Sequence, residues 1–204
     1  ELRKQIYEQL EIEDEEAWSH SPYKSLSSYR EEEAHLFYGR DREVGEFCQV
    51  IDQSPNKLFA LLAPSGAGKS SFMQAGVIPF IKQSSAKELL CEFFTPRVRD
   101  IDSLRADLKL FLKKEYSQKL LIVDQFEEVF QQDSQLAGQL ADIASLLRGA
   151  IEAPECTVIL SLRNDFYKEY ISFLDTYRLT GQFYNLPQPD AASISRMIRM
   201  PALK

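Results

Sequence analysis

A glycine-rich stretch with the residue types of a phosphate-binding loop occupies residues 63–71, which read Ala-Pro-Ser-Gly-Ala-Gly-Lys-Ser-Ser. Except for Ala63 in place of the first glycine, it matches GxxxxGK followed by Ser or Thr, a motif whose backbone N–H groups hold phosphate oxygens. Lys69 is then expected to reach the β- and γ-phosphates, and the Ser70 hydroxyl to bind Mg²⁺. The replacement at Ala63 matters only if that position needs a positive φ. We call residues 63–71 the phosphate loop and expect its phosphate contacts from Pro64, Ser65, Gly66, Ala67, Gly68, Lys69, Ser70 and Ser71.

A carboxylate cluster follows the apolar run 120–123. Asp124 ends this run, where a carboxylate can hold Mg²⁺ directly or through water. Glu127 and Glu128 lie a helical turn or less beyond it, so either can orient or deprotonate a water that attacks the γ-phosphate, and Glu127 is the preferred candidate. The alternative is that Asp124 caps a helix and both glutamates face solvent. The first interpretation predicts metal ligands at Ser70 and Asp124 and a catalytic base among the two glutamates.

An arginine, Arg163, ends another apolar run at residues 158–162. At the end of a strand it would face the γ-phosphate side of the loop, where it could sense that phosphate or neutralise charge in the transition state. The alternative is a structural ion pair with Asp165 or Asp124. The sequence alone leaves open both a role at the γ-phosphate and a structural ion pair.

The elements that must position these residues alternate along the chain. Strands that are apolar on both faces and separated by helices predict an α/β fold with a parallel sheet covered on both sides. Ligands of such sheets bind beyond the carboxyl ends of the strands, where the phosphate loop, Asp124 and Arg163 fall. The predicted strands are 58–62, 90–95, 120–123, 157–162 and 183–186. The predicted helices are 69–83, with an interruption near Gly76 and Pro79, one around 104–111, 136–151 with Asp133 or Ser134 as its cap, and 191–200.

Composition excludes several classes of function. The net charge is −7, so the overall basic footprint of a nucleic-acid-binding protein is missing. Cys48, Cys91 and Cys156 form neither a CxxC pair nor a disulfide framework, and are interpreted as buried cytosolic thiols. With only His20 and His35 present, a zinc site is improbable, and neither lies near the pattern of a serine nucleophile.

Three units are expected along the chain: a helical and acidic leader or linker at 1–21, a core at 22–186, and the start of a following helical subdomain at 187–204. The leader carries one narrow apolar stripe before the acidic run 11–16. No apolar run is long enough to span a membrane and no signal peptide is recognised, which predicts a cytoplasmic location. The first residue is Glu1, which indicates a fragment or a processed piece.

Four segments taken together resemble the STAND class of P-loop NTPases, relatives of the NACHT/NB-ARC and AAA+-like ATPases. They are the run Phe-Tyr-Gly-Arg-Asp-Arg-Glu at 37–43, the phosphate loop, the run 120–128 with Asp-Gln-Phe-Glu-Glu, and 161–166. The bacterial novel STAND domains are the most similar group, and the resemblance covers roughly residues 21–202. The loop alone is shared by many NTPases, whereas the first and third segments together are far more specific.

The resemblance implies a three-layer P-loop fold with strand order 5-1-4-3-2. It places Tyr38, Gly39, Arg40 and Pro189 by the adenine and makes Arg163 a sensor of the γ-phosphate. It implies ATP or ADP with Mg²⁺ as cofactors and slow ATP hydrolysis, slower because Gln125 stands where a second carboxylate is usual. It also implies a switch in signalling, antiphage defence or cell death that forms homo-oligomers on activation. Effector and sensor domains would lie in the same or a partner chain, since the winged-helix and sensor regions expected downstream are outside this sequence.

Two other functions remain open from the residues. One is a small-molecule kinase, against which the lack of an arginine-rich lid between 163 and 204 argues. The other is a nucleotide-dependent interaction module that does not turn over. The choice between ATP and other nucleoside triphosphates, the resting nucleotide and the oligomer number are left undecided.

Overall fold

Five short apolar segments form one parallel β-sheet in a computed structural model of the protein, which describes residues 23–24, 27–85, 87–96, 100–131, 136 and 138–203. The strands are β1 (Leu58–Ala63), β2 (Leu89–Phe94), β3 (Gln118–Val123), β4 (Cys156–Arg163) and β5 (Gln182–Asn185). Their order across the sheet is β2-β3-β4-β1-β5. Read from the other edge, this is the predicted order 5-1-4-3-2, so the fold prediction is confirmed.

Helices connect the strands in every crossover. A 3₁₀ helix (Glu31–Leu36) leads into α1 (Asp41–Gln53). The helix α2 follows the phosphate loop as three consecutive segments, namely Lys69–Ser71, a π-helical segment Phe72–Val77, and Ile78–Ser84. The remaining helices are α3 (Ile101–Lys113), α4 (Leu140–Glu152), α5 (Tyr167–Tyr177) and α6 (Ala191–Arg199). Short 3₁₀ turns lie at Phe126–Phe130, Asn164–Phe166 and Pro201–Leu203.

The strand β1 shows why the sheet is covered on both sides. All six of its residues are buried, and successive side chains point to opposite faces. Leu58, Ala60 and Leu62 pack into the core shared with α3, α4 and α5. The alternate residues, Phe59 among them, pack into the second core with α1 and α2. The result is a three-layer domain in which β1, an interior strand of the sheet, ends at the phosphate loop.

The register of the sheet brings the predicted site residues to one edge. Strand β1 pairs in parallel with both β4 and β5, and Ala63 lies opposite Arg163. Strand β3 pairs with β4 up to Val123 opposite Leu160, so Asp124 leaves the sheet at the same edge. The sequence-based placement of these motifs beyond the strand ends is therefore confirmed.

Two helix predictions need correction. The helix after the loop is not interrupted at Gly76 and Pro79, because the chain widens into the π-helical segment and continues to Ser84. The helix predicted at 136–151 begins only at Leu140, after Gln139 as N-cap. Asp133 and Ser134, like the leader 1–21, lie outside the described residues. Leu136 is buried in the core although it precedes the helix.

The three cysteines are unpaired thiols. Burial raises the pKa of Cys48 and Cys91 to about 12 and that of Cys156 to about 11. Thiols with such values are not nucleophiles at neutral pH, which agrees with a packing role. Within the described part of the chain, none of the helices has the length and apolar character needed to span a bilayer.

Candidate functional site

The phosphate loop leaves β1 and enters α2 through two glycines in the left-handed region. Gly66 has φ of 74° and Gly68 has φ of 81°, conformations that favour glycine. Ala63, in contrast, is the last residue of β1 and keeps the strand register with β4. Its position needs no positive φ, so the departure from the motif at Ala63 does not distort the loop.

Lys69 lies folded back into the loop. Its ammonium group donates hydrogen bonds to the carbonyl oxygens of Ala63, at 3.3 Å, and Pro64, at 3.2 Å. Burial lowers the pKa of Lys69, and the nearby carboxylates of Glu127 and Asp124 act in the opposite direction. A buried cation beside backbone N–H groups is a strong attractor for an anion of the size of a phosphate.

Ser70 and Asp124 meet below the loop. The Ser70 hydroxyl donates to Asp124 Oδ2 at 2.5 Å. Asp124 is only 3% exposed, and its Oδ1 atom has no hydrogen-bond partner among the described residues. The predicted metal ligands are thus adjacent, and both supply the oxygen donors that Mg²⁺ prefers.

No group of three or more His, Cys, Asp and Glu side chains suited to hold a metal occurs in the described ranges. An ion held by Ser70 and Asp124 would therefore need phosphate and water oxygens to complete its coordination. That is the usual arrangement for Mg²⁺ in phosphoryl-transfer sites.

Lys69, Ser70 and Asp124 line one cleft, which we call the phosphate cleft. A sharp turn of the chain brings Glu127 and Glu128 to this cleft as well. Gln125 takes a left-handed conformation with φ of 56° and starts the 3₁₀ turn Phe126–Phe130. Both glutamates are buried, so the alternative in which they face solvent is wrong. Burial raises the pKa of Glu127, and its Oε2 atom lacks a hydrogen-bond partner within the described residues. A buried carboxylate with a raised pKa is suited to accept a proton from water.

Arg163 borders the cleft but is engaged with a neighbour. Its Nε donates to Asp165 Oδ1 at 3.0 Å, and Nη2 donates to Oδ2. This ion pair raises the pKa of Arg163. The guanidinium also lies 5.6 Å from the centre of the Phe166 ring. The structural pairing that the sequence left open is therefore present in this structure, on the rim of the cleft.

A second cleft, of about 350 Å³, shares Gly66, Gly68 and Ser71 of the loop with the first. Of the residues expected beside the adenine, Tyr38, Arg40 and Pro189 line it. Arg40 is buried and donates to the carbonyl oxygens of Pro187, at 2.7 Å, and Ala67, at 3.4 Å. It therefore ties the loop to the segment after β5.

Gly39, the remaining residue expected beside the adenine, does not line this cleft but packs against α6. Its φ is 80°, and a Cβ atom there would lie 2.5 Å from the Ser193 carbonyl oxygen. Gly39 thus lets the start of α1 touch α6 and holds Tyr38 and Arg40 at the cleft.

Five residues of the segment 23–29 also border the site, although the sequence did not assign them to it. They border the phosphate cleft of about 790 Å³, which contains Lys69, Asp124, both glutamates and Arg163. The backbone N–H of Tyr29 donates to Ser71 Oγ at 3.0 Å, and Tyr29 borders both clefts. The missed residues are Tyr23, Lys24, Ser27, Ser28 and Tyr29. Tyr23 belongs to the run Ser21-Pro22-Tyr23, which resembles the usual opening of the novel STAND domains, whereas the spacing of the other four residues indicates no chemistry.

The sequence matches the family model described as Novel STAND NTPase 1 over residues 22–204. A search of curated proteins gives no significant match. Among solved structures, the fold is similar to that of the Saccharomyces cerevisiae Hsp104–ADP complex, with a TM-score of 0.59, 16% identity, and coverage of 83% of this chain and 25% of that one. A closed state of Hsp104 with ATPγS and FITC-casein gives a TM-score of 0.56 at 16% identity, covering 78% of this chain and 28% of that one.

The crystal structure of Saccharomyces cerevisiae RIF2 is also similar, with a TM-score of 0.53, 8% identity, and coverage of 82% of this chain and 63% of that one. At these identities the likeness concerns the fold alone. The chain spans about a quarter of the length of the Hsp104 chains that it matches.

Proposed function

The chain belongs to the Novel STAND NTPase 1 family, and we propose that it is an ATP- and Mg²⁺-binding switch that hydrolyses ATP slowly. Family membership supports nucleotide binding and NTPase activity in general. One observation carries the more specific proposal: the hydrogen bond of 2.5 Å from Ser70 to Asp124 lies in the same cleft as buried Lys69, Glu127 and Glu128.

The arrangement of the two clefts supports the binding of one nucleotide across both. They share Tyr29, Gly66, Gly68 and Ser71, so a single ligand can occupy both. The larger cleft offers a cation and loop N–H groups to a triphosphate. The smaller one offers aromatic and apolar surface to a base, including Phe37 among its lining residues.

The residues also support a hydrolytic mechanism. Lys69 would neutralise charge on the phosphates, and Mg²⁺ held through Ser70 and Asp124 would supply Lewis-acid stabilisation of the same charge. Glu127, buried with a raised pKa, would orient a water and accept its proton. Glu128 borders the same cleft and is the second candidate for this role.

Slow turnover is supported by two features of the site. Gln125 follows Asp124, so the carboxylate beside the metal position has no immediate acidic neighbour in sequence. Arg163 is held by Asp165, so it must leave that pair before it can contact a γ-phosphate. In this proposal, hydrolysis would follow a rearrangement of Arg163.

Coupling of the nucleotide to oligomerisation, and a role in signalling or antiphage defence, are further parts of the proposal. They rest on the resemblance to STAND switches. An alternative, a module that binds ATP without turnover, is favoured by the same pairing of Arg163 with Asp165.

The deciding experiment is a single-turnover assay with γ-labelled ATP on the wild type, Glu127→Gln and Glu128→Gln. We expect slow release of inorganic phosphate from the wild type. The variant that lacks the base should lose about 10²-fold in rate and still bind ATP. The exposed Glu115→Gln serves as the matched control and should behave as wild type.

Each other outcome identifies a different function. Bound ATP that is never cleaved by the wild type indicates the non-hydrolysing module. Label that moves to an acceptor instead of inorganic phosphate indicates a kinase. Normal rates in both variants mean that the water is activated elsewhere.

A further inference from the structure

Ser161 is a polar residue in the middle of the sheet that has no part in the site described so far. It lies on β4 with 0% exposure, between Leu160 and Leu162. Its hydroxyl has no hydrogen-bond partner among the described residues. A buried hydroxyl without a partner is costly, whereas alanine would fit the same place without that cost. This cost suggests that the Ser161 hydroxyl gains a hydrogen-bond partner in another state of the site.

The position of Ser161 identifies that partner. Side chains alternate between faces along a strand, and Ile159, two residues before Ser161, faces the core of α1 and α2. On β3, Ile122 faces the same core, which places Asp124 on that face too. Since Val123 lies opposite Leu160, the next step along both strands brings Asp124 beside Ser161.

The extended course of the chain supports this step. The backbone N–H of Asp124 donates to the carbonyl oxygen of Phe94 at 2.7 Å, so the pairing of β3 with its neighbour β2 continues through Asp124. Two buried polar atoms without partners within the described residues, Ser161 Oγ on β4 and Asp124 Oδ1 directly after β3, thus lie on neighbouring segments and on the same face of the sheet.

We propose that Ser161 is a positioning residue of the Mg²⁺-dependent state, an inference that rests on the proposed function. In the present structure the Ser70 hydroxyl donates to Asp124. When that hydroxyl becomes a metal ligand, Asp124 loses this hydrogen bond. A rotation about the Cα–Cβ bond of Ser161 can direct its hydroxyl to the Asp124 carboxylate and keep it oriented. A hydrogen bond that orients a metal-binding carboxylate in this way increases the affinity for the metal.

The test is titration calorimetry of Ser161→Ala with ATP, in Mg²⁺ and in EDTA, together with thermal unfolding of the nucleotide-free protein. We expect affinity in Mg²⁺ to fall about tenfold or more and affinity in EDTA to stay within about twofold. The unfolding temperature of the nucleotide-free variant should stay the same or rise, because a hydroxyl without a partner has been removed.

Two further variants separate the hydroxyl from its surroundings. Ser161→Cys keeps the shape but has a weak donor, so it should resemble Ser161→Ala. Thr157→Val, on the same strand but at its other end, should leave the Mg²⁺ dependence unchanged. Asp124→Ala is the reference for complete loss of that dependence.

Unchanged Mg²⁺ dependence in Ser161→Ala, or equal losses in Mg²⁺ and EDTA, would overturn the assignment. A lower unfolding temperature of the nucleotide-free variant would overturn it as well, because Ser161 would then be structural. If Asp124→Ala keeps the full Mg²⁺ dependence, or the wild type binds no nucleotide, the proposed function fails and the assignment falls with it.

Discussion

The guanidinium of Arg163 is paired with Asp165 in the present structure. In the proposed function it exchanges this partner for the γ-phosphate. Its side chain is 39% exposed, and exposed ion pairs contribute little to stability. A phosphate in a partly desolvated cleft is a stronger partner, because hydrogen bonds between charged groups strengthen as water is removed. Since Ala63 lies opposite Arg163 in the sheet, the exchange needs a side-chain movement at the mouth of the loop.

This exchange of Asp165 for the γ-phosphate predicts that Arg163 contributes to the affinity for ATP but not to the affinity for ADP. A contact made only with the triphosphate gives the differential affinity that a two-state switch requires. Arg163→Ala should therefore weaken binding of an ATP analogue by roughly tenfold and leave ADP within about twofold. The measurement is a paired titration of both nucleotides.

Arg105→Ala is the matched control for this titration. Arg105 is also exposed and paired with carboxylates, those of Asp102 and Asp142, but it lies on α3 away from both clefts. Equal loss of both nucleotides in Arg163→Ala, or no loss of either, would mean that the pair with Asp165 is structural.

At this scale the sequence predicted several of the residues that the fold brings together in the phosphate cleft. The loop, Asp124 and both glutamates could be recognised because phosphate and metal chemistry demands certain groups at strand ends. Ser161 and Tyr29 could not be recognised. The role of Ser161 depends on the register between β3 and β4, and that of Tyr29 on a backbone N–H that every residue type except proline offers.

Among the secondary-structure elements, α6 and the start of α1 depend on each other through Gly39. The glycine combines a left-handed backbone with close approach to Ser193 and Met197. On either side of it, Tyr38 and Arg40 line the smaller cleft. Packing of α6 therefore determines the geometry of the surface that we propose holds the base.

This dependence predicts that Gly39→Ala lowers the free energy of unfolding by about 2 kcal/mol or more, from backbone strain and overpacking. It should also weaken nucleotide binding, because α6 must shift. Chemical denaturation and calorimetry measure the two effects.

Gly45→Ala is the control. A Cβ atom there meets nothing within 4 Å inside α1, so helix propensity predicts a gain of about 0.5–1 kcal/mol. If both variants change stability in the same direction, the contact between Gly39 and α6 is not as described.

The helix α2 shows why element boundaries were harder to predict than elements. Gly76 and Pro79 suggested a break, but a Cβ at Gly76 would lie 2.7 Å from Val44 Cγ2. The glycine serves the approach of α1, and the helix absorbs it as a π-helical segment. Such tertiary contacts leave no local pattern in the sequence.

At the scale of the whole molecule, the negative net charge means that the site itself must supply the positive groups that attract a nucleotide. A net charge of −7 repels a nucleotide at long range. Binding then depends on local positive groups, which are the loop N–H groups, Lys69 and any bound Mg²⁺. The strand order that was predicted from the resemblance places β1 directly behind this loop, as an interior strand between β4 and β5. The loop therefore follows a strand that is paired on both sides.

The most direct test of nucleotide binding at this loop is calorimetric titration of ATP with Mg²⁺ into the wild type and Lys69→Ala. The matched control is Lys119→Ala, which removes another buried lysine that donates to a backbone carbonyl, that of Leu112 at 2.8 Å. We predict that Lys69→Ala loses at least about tenfold in affinity, about 1.4 kcal/mol, and that Lys119→Ala keeps the wild-type affinity. Unchanged ATP affinity in Lys69→Ala would contradict the assignment of the phosphate loop.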